Sequence, residues 1–508
     1  MFHPHAHRIA FVSLLVVASF GCSRDSDVVP VQPDSGADAS TMDGPEDTPQ
    51  ATDASEDSAD AGSGDSSSDA EPQSPVWRHR WSKAFGASAH QHAYDVVRDP
   101  AGNLVVGGHF QSIINLGGDT LVSADEDDVF VAKLDPSGGH VWSHSFEGVK
   151  DQRLLRLAVD GDGNIVMTGI TGGSTSFGGD TLEPADSDGD AAFVVKLDSQ
   201  GGHLWSQAFG AFATGIDVAI DDQGDVFVAG LFSESIDFGC KVHSTAGDAD
   251  AFVVKLSAAG ACLWSKQFGD TKNQGARAIA VDSGGNVIVA GNFDGAIDLG
   301  NDSVASAGDT DVFAAKLNSE TGAALWARRW GDEQRQGVRD IRAADGTLCM
   351  TGVFDGEMGF ATGVLTNPGA PLQEGDAYVA RLGEDGTEAW AKAIGGTGIQ
   401  ASFACDVLES GDVIVTGGFE KTIDLGCGEH TSAAWGDIYV AILGAQDGRC
   451  LWSGAWGGLQ DDIGFGIAIL PDAFVLAGDI GAQVDLGGGP IGGNGGVDAF
   501  LASFSIVR

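Results

Sequence analysis

The chain has 508 residues, with 73 acidic against 27 basic side chains and a formal net charge of −46. A surface this acidic argues against nucleic acid or an anionic membrane face as partner. It fits a well-hydrated exterior that could also attract cations or basic partners.

The N-terminal segment "MFHPHAHRIAFVSLLVVASFGC" sets Arg8 and three His ahead of an apolar run from Ile9 to Phe20. That run is too short to cross a bilayer, which takes about 20 apolar residues, and it suits a secretory signal peptide. It ends in Gly21-Cys22. Residues 23–75 carry 14 acids and one base, Arg24, and no aromatic residue. Such a segment buries too little apolar surface to offset its ordering entropy, so a disordered tether is expected, spanning roughly 40 Å as a flexible coil.

From residue 76 onward the chain repeats. Trp81, Trp142, Trp205, Trp264, Trp326, Trp390 and Trp452 open the phrases "WSKAFG", "WSHSFEG", "WSQAFG", "WSKQFG", "WARRWG", "WAKAIG" and "WSGAWG", with about 62 residues per repeat. A second phrase recurs as "DVFVAKL" (128–134), "AAFVVKL" (191–197), "DAFVVKL" (250–256) and so on to "DAFLASF" (498–504). A third recurs as "GNLVVGGHF" (102–110), "GNVIVAGNF" (285–293) and their counterparts, each after a short apolar run such as "RAIAVD" (277–282). Each run is short, β-branched or aromatic, and bounded by Gly, Asp or Asn, which reads as a strand. No segment keeps a 3.6-residue apolar period.

Four strands per repeat and seven repeats predict an all-β, seven-bladed β-propeller with four antiparallel strands per blade. The chain enters on a Trp strand with no "AFVAKL" strand before it and leaves on "AFLASF" with no Trp strand after it. Their pairing would close the ring and remove exposed edges. The recurring Trp is expected to fill the wedge between blades, where a large ring buries much apolar surface.

The repeats resemble the seven-bladed β-propeller repeat called SBBP, found in bacterial secreted and surface proteins. That resemblance implies the fold and an envelope or extracellular setting, and no agreed activity. "NSETGAALW" (318–326) bears a weaker similarity to the tryptophan-docking motif of quinoprotein-type propellers. That group includes quinone-dependent dehydrogenases and the lipoprotein scaffold of outer-membrane barrel assembly. The Gly21-Cys22 end resembles a bacterial lipobox, which implies lipidation at Cys22 and an outer membrane lipoprotein, periplasmic or surface-exposed. Ser19-Phe20 departs from that box, and ordinary signal cleavage nearby is the alternative.

The domain holds six cysteines. Cys240 follows "IDFG" and Cys427 follows "IDLG"; Cys262 and Cys450 each lie two residues before the repeat Trp. Two repeats carry both positions and the others carry neither, so Cys240–Cys262 and Cys427–Cys450 disulfides are expected. Bridges of this kind fit an oxidising compartment. Cys349 and Cys405, on strands of adjacent blades, are either free thiols or an inter-blade bridge, with free thiols expected.

Chemistry is sparse. "DGDGN" (160–164) and "DSDGD" (186–190) begin like calcium loops, but Ile165 and Ala191 stand where the loop needs Gly, and Thr171 and Leu197 where it needs Glu. No zinc spacing, nucleophile elbow or phosphate loop is present, and neither metal nor cofactor is expected. Aligned on the following turn, Asp95, Arg156, Asp217 and Arg339 share one inner-strand position, where they could form a charged channel rim that orients a ligand or simply pair with one another. Trp435 occupies a long loop near Glu429 and His430, where it could contact sugar or protein, or tuck back onto its blade.

The expected function is a non-catalytic, monomeric binding or scaffolding module for a protein or polysaccharide partner at the cell surface, with no nucleic acid. The rivals are a propeller enzyme, either a polysaccharide lyase or hydrolase or a quinone-dependent dehydrogenase, and a scaffold similar to the barrel-assembly lipoprotein.

Overall fold

The computed structural model describes residues 76–124, 126–187, 189–300, 303–367 and 375–507. Cys22, the signal segment and the tether lie outside the described residues. The described residues contain no helix. Their strands form seven antiparallel sheets, each built on four strands and set in a ring.

Blade 1 comprises Gln91–Arg98, Leu104–Phe110, Asp128–Leu134 and His140–Phe146, from the inner strand outward. Blade 2 comprises Gln152–Val159, Ile165–Thr171, Ala191–Leu197 and His203–Phe209. Blade 3 runs Ala213–Ile220, Val226–Asp237, Val242–Leu256, Cys262–Phe268; blade 4 runs Gln274–Val281, Val287–Phe293, Asp311–Leu317, Ala324–Trp330. Blade 5 runs Gln336–Ala344, Thr347–Phe354, Asp376–Gly383, Glu388–Thr397; blade 6 runs Gln400–Val407, Val413–Phe419, Asp437–Leu443, Cys450–Trp456. Blade 7 takes Asp462–Leu470, Ala473–Ile480 and Asp498–Val507 from the C-terminal end of the chain and Val76–Ala84 from residues before blade 1, the last two pairing antiparallel.

The third strands explain why each blade holds. In "DVFVAKL" every side chain is buried, because neighbouring blades cover both faces; such strands read as continuous apolar runs. The core is therefore divided into seven clusters, one per seam. Phe130 and Leu134 of blade 1 share a cluster with Val475 and Leu501 of blade 7, and Val129 and Val131 share another with Phe193 and Val195 of blade 2. A fully buried phenylalanine such as Phe130 contributes about 2–3 kcal/mol.

A second, polar stitch repeats at the rim. The indole N–H of Trp205, Trp264 and Trp390 donates to a turn carbonyl of the next blade, at Ala258 (2.9 Å), Ser319 (2.9 Å) and Ala445 (3.1 Å). Glycine is required under the ring. Gly322 has φ +64°, and a Cβ there would stand 3.1 Å from Trp264. Lys133, Lys196 and Lys255 of the third strands pair with Asp99, Asp160 and Asp221 of the inner turns at 3.0, 3.1 and 3.3 Å. Asp160 thus caps a hairpin: it also accepts from the Asp162 and Asn164 amides. Burial opposes its ionisation, but Asn164 and Lys196 outweigh that and hold its pKa below the ordinary value. The "DGDGN" segment is this turn. "DSDGD" falls partly outside the described residues.

Three disulfides are present. Cys240–Cys262 and Cys427–Cys450 tie the loop hairpins of blades 3 and 6 to their outer strands. Cys349 and Cys405 are also bonded, which corrects the expectation of free thiols. Both side chains point into the wedge between blades 5 and 6, fully buried, with Cα atoms 6.3 Å apart. That spacing is within reach of a bridge.

Candidate functional site: the central channel

Seven inner strands line the channel. Each begins at the end of the molecule that carries the long loops and finishes at a hairpin turn. Each also bulges once, between Ala93 and Asp95 in blade 1 and at the matching place in every other blade. The extra residue makes two successive side chains face inward. The bulge ring consists of Tyr94, Leu155, Ile216, Arg277, Arg339, Phe403 and Phe465. The ring below it, toward the turns, consists of Asp95, Arg156, Asp217, Ala278, Asp340, Ala404 and Gly466.

Three of the four sequence-predicted rim residues therefore share a register. Arg339 does not. Asp340 occupies the position equivalent to Asp95, and Arg339 belongs to the bulge ring. The inner hairpin of blade 5 is one residue shorter than that of blade 1: Asp340 pairs with Thr351, whereas Asp95 pairs with Gly107. Counting back from the following strand misplaces the ring by one.

The carboxylates of the lower ring are inter-blade pegs. Asp95 accepts from its own neighbour Val96 N at 2.9 Å and from Leu157 N of blade 2 at 2.9 Å. Asp217 does the same with Val218 N and Ile279 N of blade 4, both at 2.8 Å. Asp340 accepts from Cys405 N of blade 6 at 3.0 Å. All three are buried. Burial pushes Asp217 up to about 6, despite Arg342 and Arg156 nearby. Arg342 reaches from blade 5 past the alanines of blade 4, 3.5 Å from Asp217 and 3.4 Å from Asp340. Burial alone would lower its pKa, but Asp340, Asp217, Asp95 and Asp406 raise it. This bridge crosses the turn side of the channel.

The bulge ring is different. Tyr94 stacks on Phe465 with centroids 5.0 Å apart, and Phe465 meets Phe403 edge-on at 5.1 Å. Arg339 lies over the Phe403 ring at 5.6 Å. An aromatic arc from blades 1, 7 and 6 thus faces two arginines from blades 4 and 5. Burial and the neighbouring Arg339 draw Arg277 down to about 9. Burial, then Arg335 and Arg156, lower Arg339.

On the loop side, His92 Nδ1 contacts Asp479 Oδ2 at 2.5 Å, and Asp479 also accepts from Ala93 N. Burial would lower the His92 pKa, but Asp479 outweighs it and raises it. His109, beneath Tyr94 at 5.1 Å, is pushed well below its ordinary value by burial, then by His92 and Arg153. Arg153 itself is paired to Asp127 at 2.8 Å. Trp435 is 64 % exposed and does not tuck back. Beside it in the chain, Gly436 N donates to Asp461 Oδ1.

No family model matches the chain. Among curated proteins, it is 25 % identical over 162 residues to an uncharacterized WD repeat-containing protein of Acanthamoeba polyphaga mimivirus, covering 28 % of this chain and 11 % of that one. It is 26 % identical over 219 residues to the regulatory protein FlaEY of Caulobacter vibrioides, covering 40 % of this chain and 22 % of that one. The chain thus spans less than a quarter of either relative. Among solved structures, it is similar to BamB from Moraxella catarrhalis (TM-score 0.38, 11 % identity, 84 % of this chain and 99 % of that one). It is also similar to the Pan2 WD40 domain of Neurospora crassa (TM-score 0.44, 8 % identity, 85 % and 96 %). A third is the quinohemoprotein alcohol dehydrogenase of Comamonas testosteroni (TM-score 0.37, 10 % identity, 84 % and 76 %).

Nothing in the sequence marks Tyr94, Arg277, Phe403 and Phe465 as a set. Each is one residue of a bulge, and only the register makes them neighbours.

Proposed function

We propose that this protein is a binding module of the bacterial cell envelope, anchored by lipid at Cys22 beyond an acidic tether, that captures a polysaccharide or protein at the loop end of its channel. The observation that carries the reading is where the repeat breaks. Trp, Lys and Asp recur at the seams, whereas the bulge ring holds an unrepeated set, Tyr94, Leu155, Ile216, Arg277, Arg339, Phe403 and Phe465. Residues that differ between otherwise equivalent blades are free of the packing that fixes the others. The carboxylates Asp95, Asp217 and Asp340 are taken up by backbone amides, which leaves them poorly placed for the paired acid–base work of glycoside hydrolysis. A photoreactive side chain placed at Ile216 in the channel, compared with one at Leu325 on the outer rim, tests this in envelope membranes. Adducts at Ile216 alone are expected; equal labelling from both positions sinks the reading.

One observation favours an enzyme instead. His92, held at Nδ1 by Asp479, has the oriented-imidazole geometry of a general base. Turnover of an acidic polysaccharide by the chain, lost in His92→Ala with the fold intact, would establish that reading over simple capture.

A further inference from the structure

One seam of the ring joins the two ends of the chain. Blade 7 draws three strands from the C-terminal end, and Asp479 on the second of them lies 387 residues from its partner His92 in blade 1. This seam and the pairing of Val76–Ala84 with Asp498–Val507 together close the ring. His92 Nδ1 meets Asp479 Oδ2 at 2.5 Å, and Asp479 Oδ1 accepts from Ala93 N at 3.3 Å. Beside them, Gln91 N donates to Val497 O at 2.8 Å, and His90 Nδ1 accepts from Val497 N at 3.3 Å. At the matching place, other seams hold Leu231 against Gly275, Asn292 against Gly337 and Gly418 against Ile463. Those pairs have no proton to gain or lose near neutral pH, whereas an imidazole does.

The surroundings of His92 favour its charged form. Asp479 faces it from the second strand of blade 7, and Asp127 from just before the third strand of blade 1. Arg153 faces it from the inner strand of blade 2, but is itself paired with Asp127 and Asp151. On its own blade, the rings of His109, Tyr94 and His90 lie 4.9, 5.9 and 6.2 Å away. His109 is buried, which pushes its pKa well below the ordinary value, so it adds no charge. Burial draws the His92 pKa down, but Asp479 outweighs it and the net direction is up. Two residues on, Tyr94 stacks on Phe465 of blade 7 at 5.0 Å, across the same seam and in the channel wall. We infer that His92 and Asp479 form a proton-operated latch on the closing seam: the charged pair holds blade 7 to blade 1 at the loop end, and loss of the proton loosens that seam and the Tyr94–Phe465 stack below it. A neutral imidazole keeps one hydrogen bond to Asp479 and gives up the attraction between charges, so the latch weakens rather than vanishes. Its full strength is present below the unfolded pKa of about 6.5 and fades as pH rises through the higher folded value. The latch needs no assumption about what the channel binds.

Hydrogen exchange of the full chain without ligand tests this, at about pH 6 and about pH 9, corrected for the intrinsic pH dependence of amide exchange. Gln91–Arg98 and Ala473–Ile480 should lose about five- to tenfold of their protection between the two, the difference between a charge-assisted and a neutral hydrogen bond. Val226–Asp237 and Gln274–Val281, which meet at the seam of blades 3 and 4, should keep theirs. In His92→Gln, which leaves a neutral donor beside Asp479, protection of the first two strands should already be low at the lower pH and change no further. Asp479→Asn should behave alike, and it serves if His92→Gln fails to fold. A parent chain whose closing seam loses no more protection than the seam of blades 3 and 4 overturns the latch with no variant needed. So does a pH-dependent fall that survives in His92→Gln, because Asp462, whose pKa burial pushes up to about 7, still titrates there.

Discussion

The outer seams and the inner channel are built from the same seven repeats and obey opposite rules. At the seams one solution is used again and again: an indole over the next blade's glycine turn, a lysine on its own blade's aspartate, an apolar wedge beneath. In the channel the equivalent positions hold Tyr, Leu, Ile, Arg, Arg, Phe and Phe. A seam must bury area wherever it stands, so its chemistry converges. The bulge-ring side chains meet one another instead, as Tyr94 meets Phe465 and Arg339 meets Phe403, and no single residue type is imposed on all seven. Repetition therefore marks what holds the ring, and its loss marks what the ring presents.

The largest effect is expected at the seam with a covalent staple. Replacing Cys349 and Cys405 together by serine opens a loop with a sequence separation of 56, and should cost about 4 kcal/mol. A non-reducing peptide map should show the two linked beforehand; two free thiols there would restore the sequence-based expectation. Next, Trp264→Ala removes an ordinary seam ring with its bond to Ser319. About 3 kcal/mol should be lost in denaturant unfolding. An unchanged midpoint would show that the indole only covers the rim.

A further effect is a pH slope. Asp462 starts the inner strand of blade 7, fully buried, accepting from Gly458 N and Gly481 N. Burial pushes its pKa up to about 7 against those bonds. An unfolded aspartate titrates near 3.9, so between these values the folded chain holds a proton that the unfolded chain releases. Stability should fall as pH rises from about 4 to about 7, and Asp462→Asn should remove up to about 4 kcal/mol of that fall, at about 1.4 kcal/mol per pH unit. A parallel pH profile for the variant and the parent would refute the assignment. Smallest of all, Arg339→Gln should change the free energy of unfolding by no more than about 0.5 kcal/mol in denaturant titration. A large loss of stability there would put Arg339 with the seams.

Much of the ring was legible in the chain. The period of the tryptophans, the strand phrases around them and the two matched cysteine pairs are local signals, and a repeated local signal averages out its own ambiguity. Trp435 could be singled out as an oddity because no other repeat has it, but whether it stands clear of its blade depended on packing. The channel was only half legible. Asp95, Arg156 and Asp217 align by counting, but a hairpin shortened by one residue moved Arg339 into another ring, and nothing in the local sequence flags that shift.

The number of blades, the strand order within each and the tryptophan seams could be read from the chain, because each follows from residues a few places apart. It takes the folded ring to bring Cys349 to Cys405, to set Arg342 between Asp217 and Asp340, and to gather Phe403, Phe465 and Tyr94 into one ring with Arg277 and Arg339. Those contacts join blades far apart in the chain, and they exist only once bulge, turn length and ring curvature have together fixed where each side chain points.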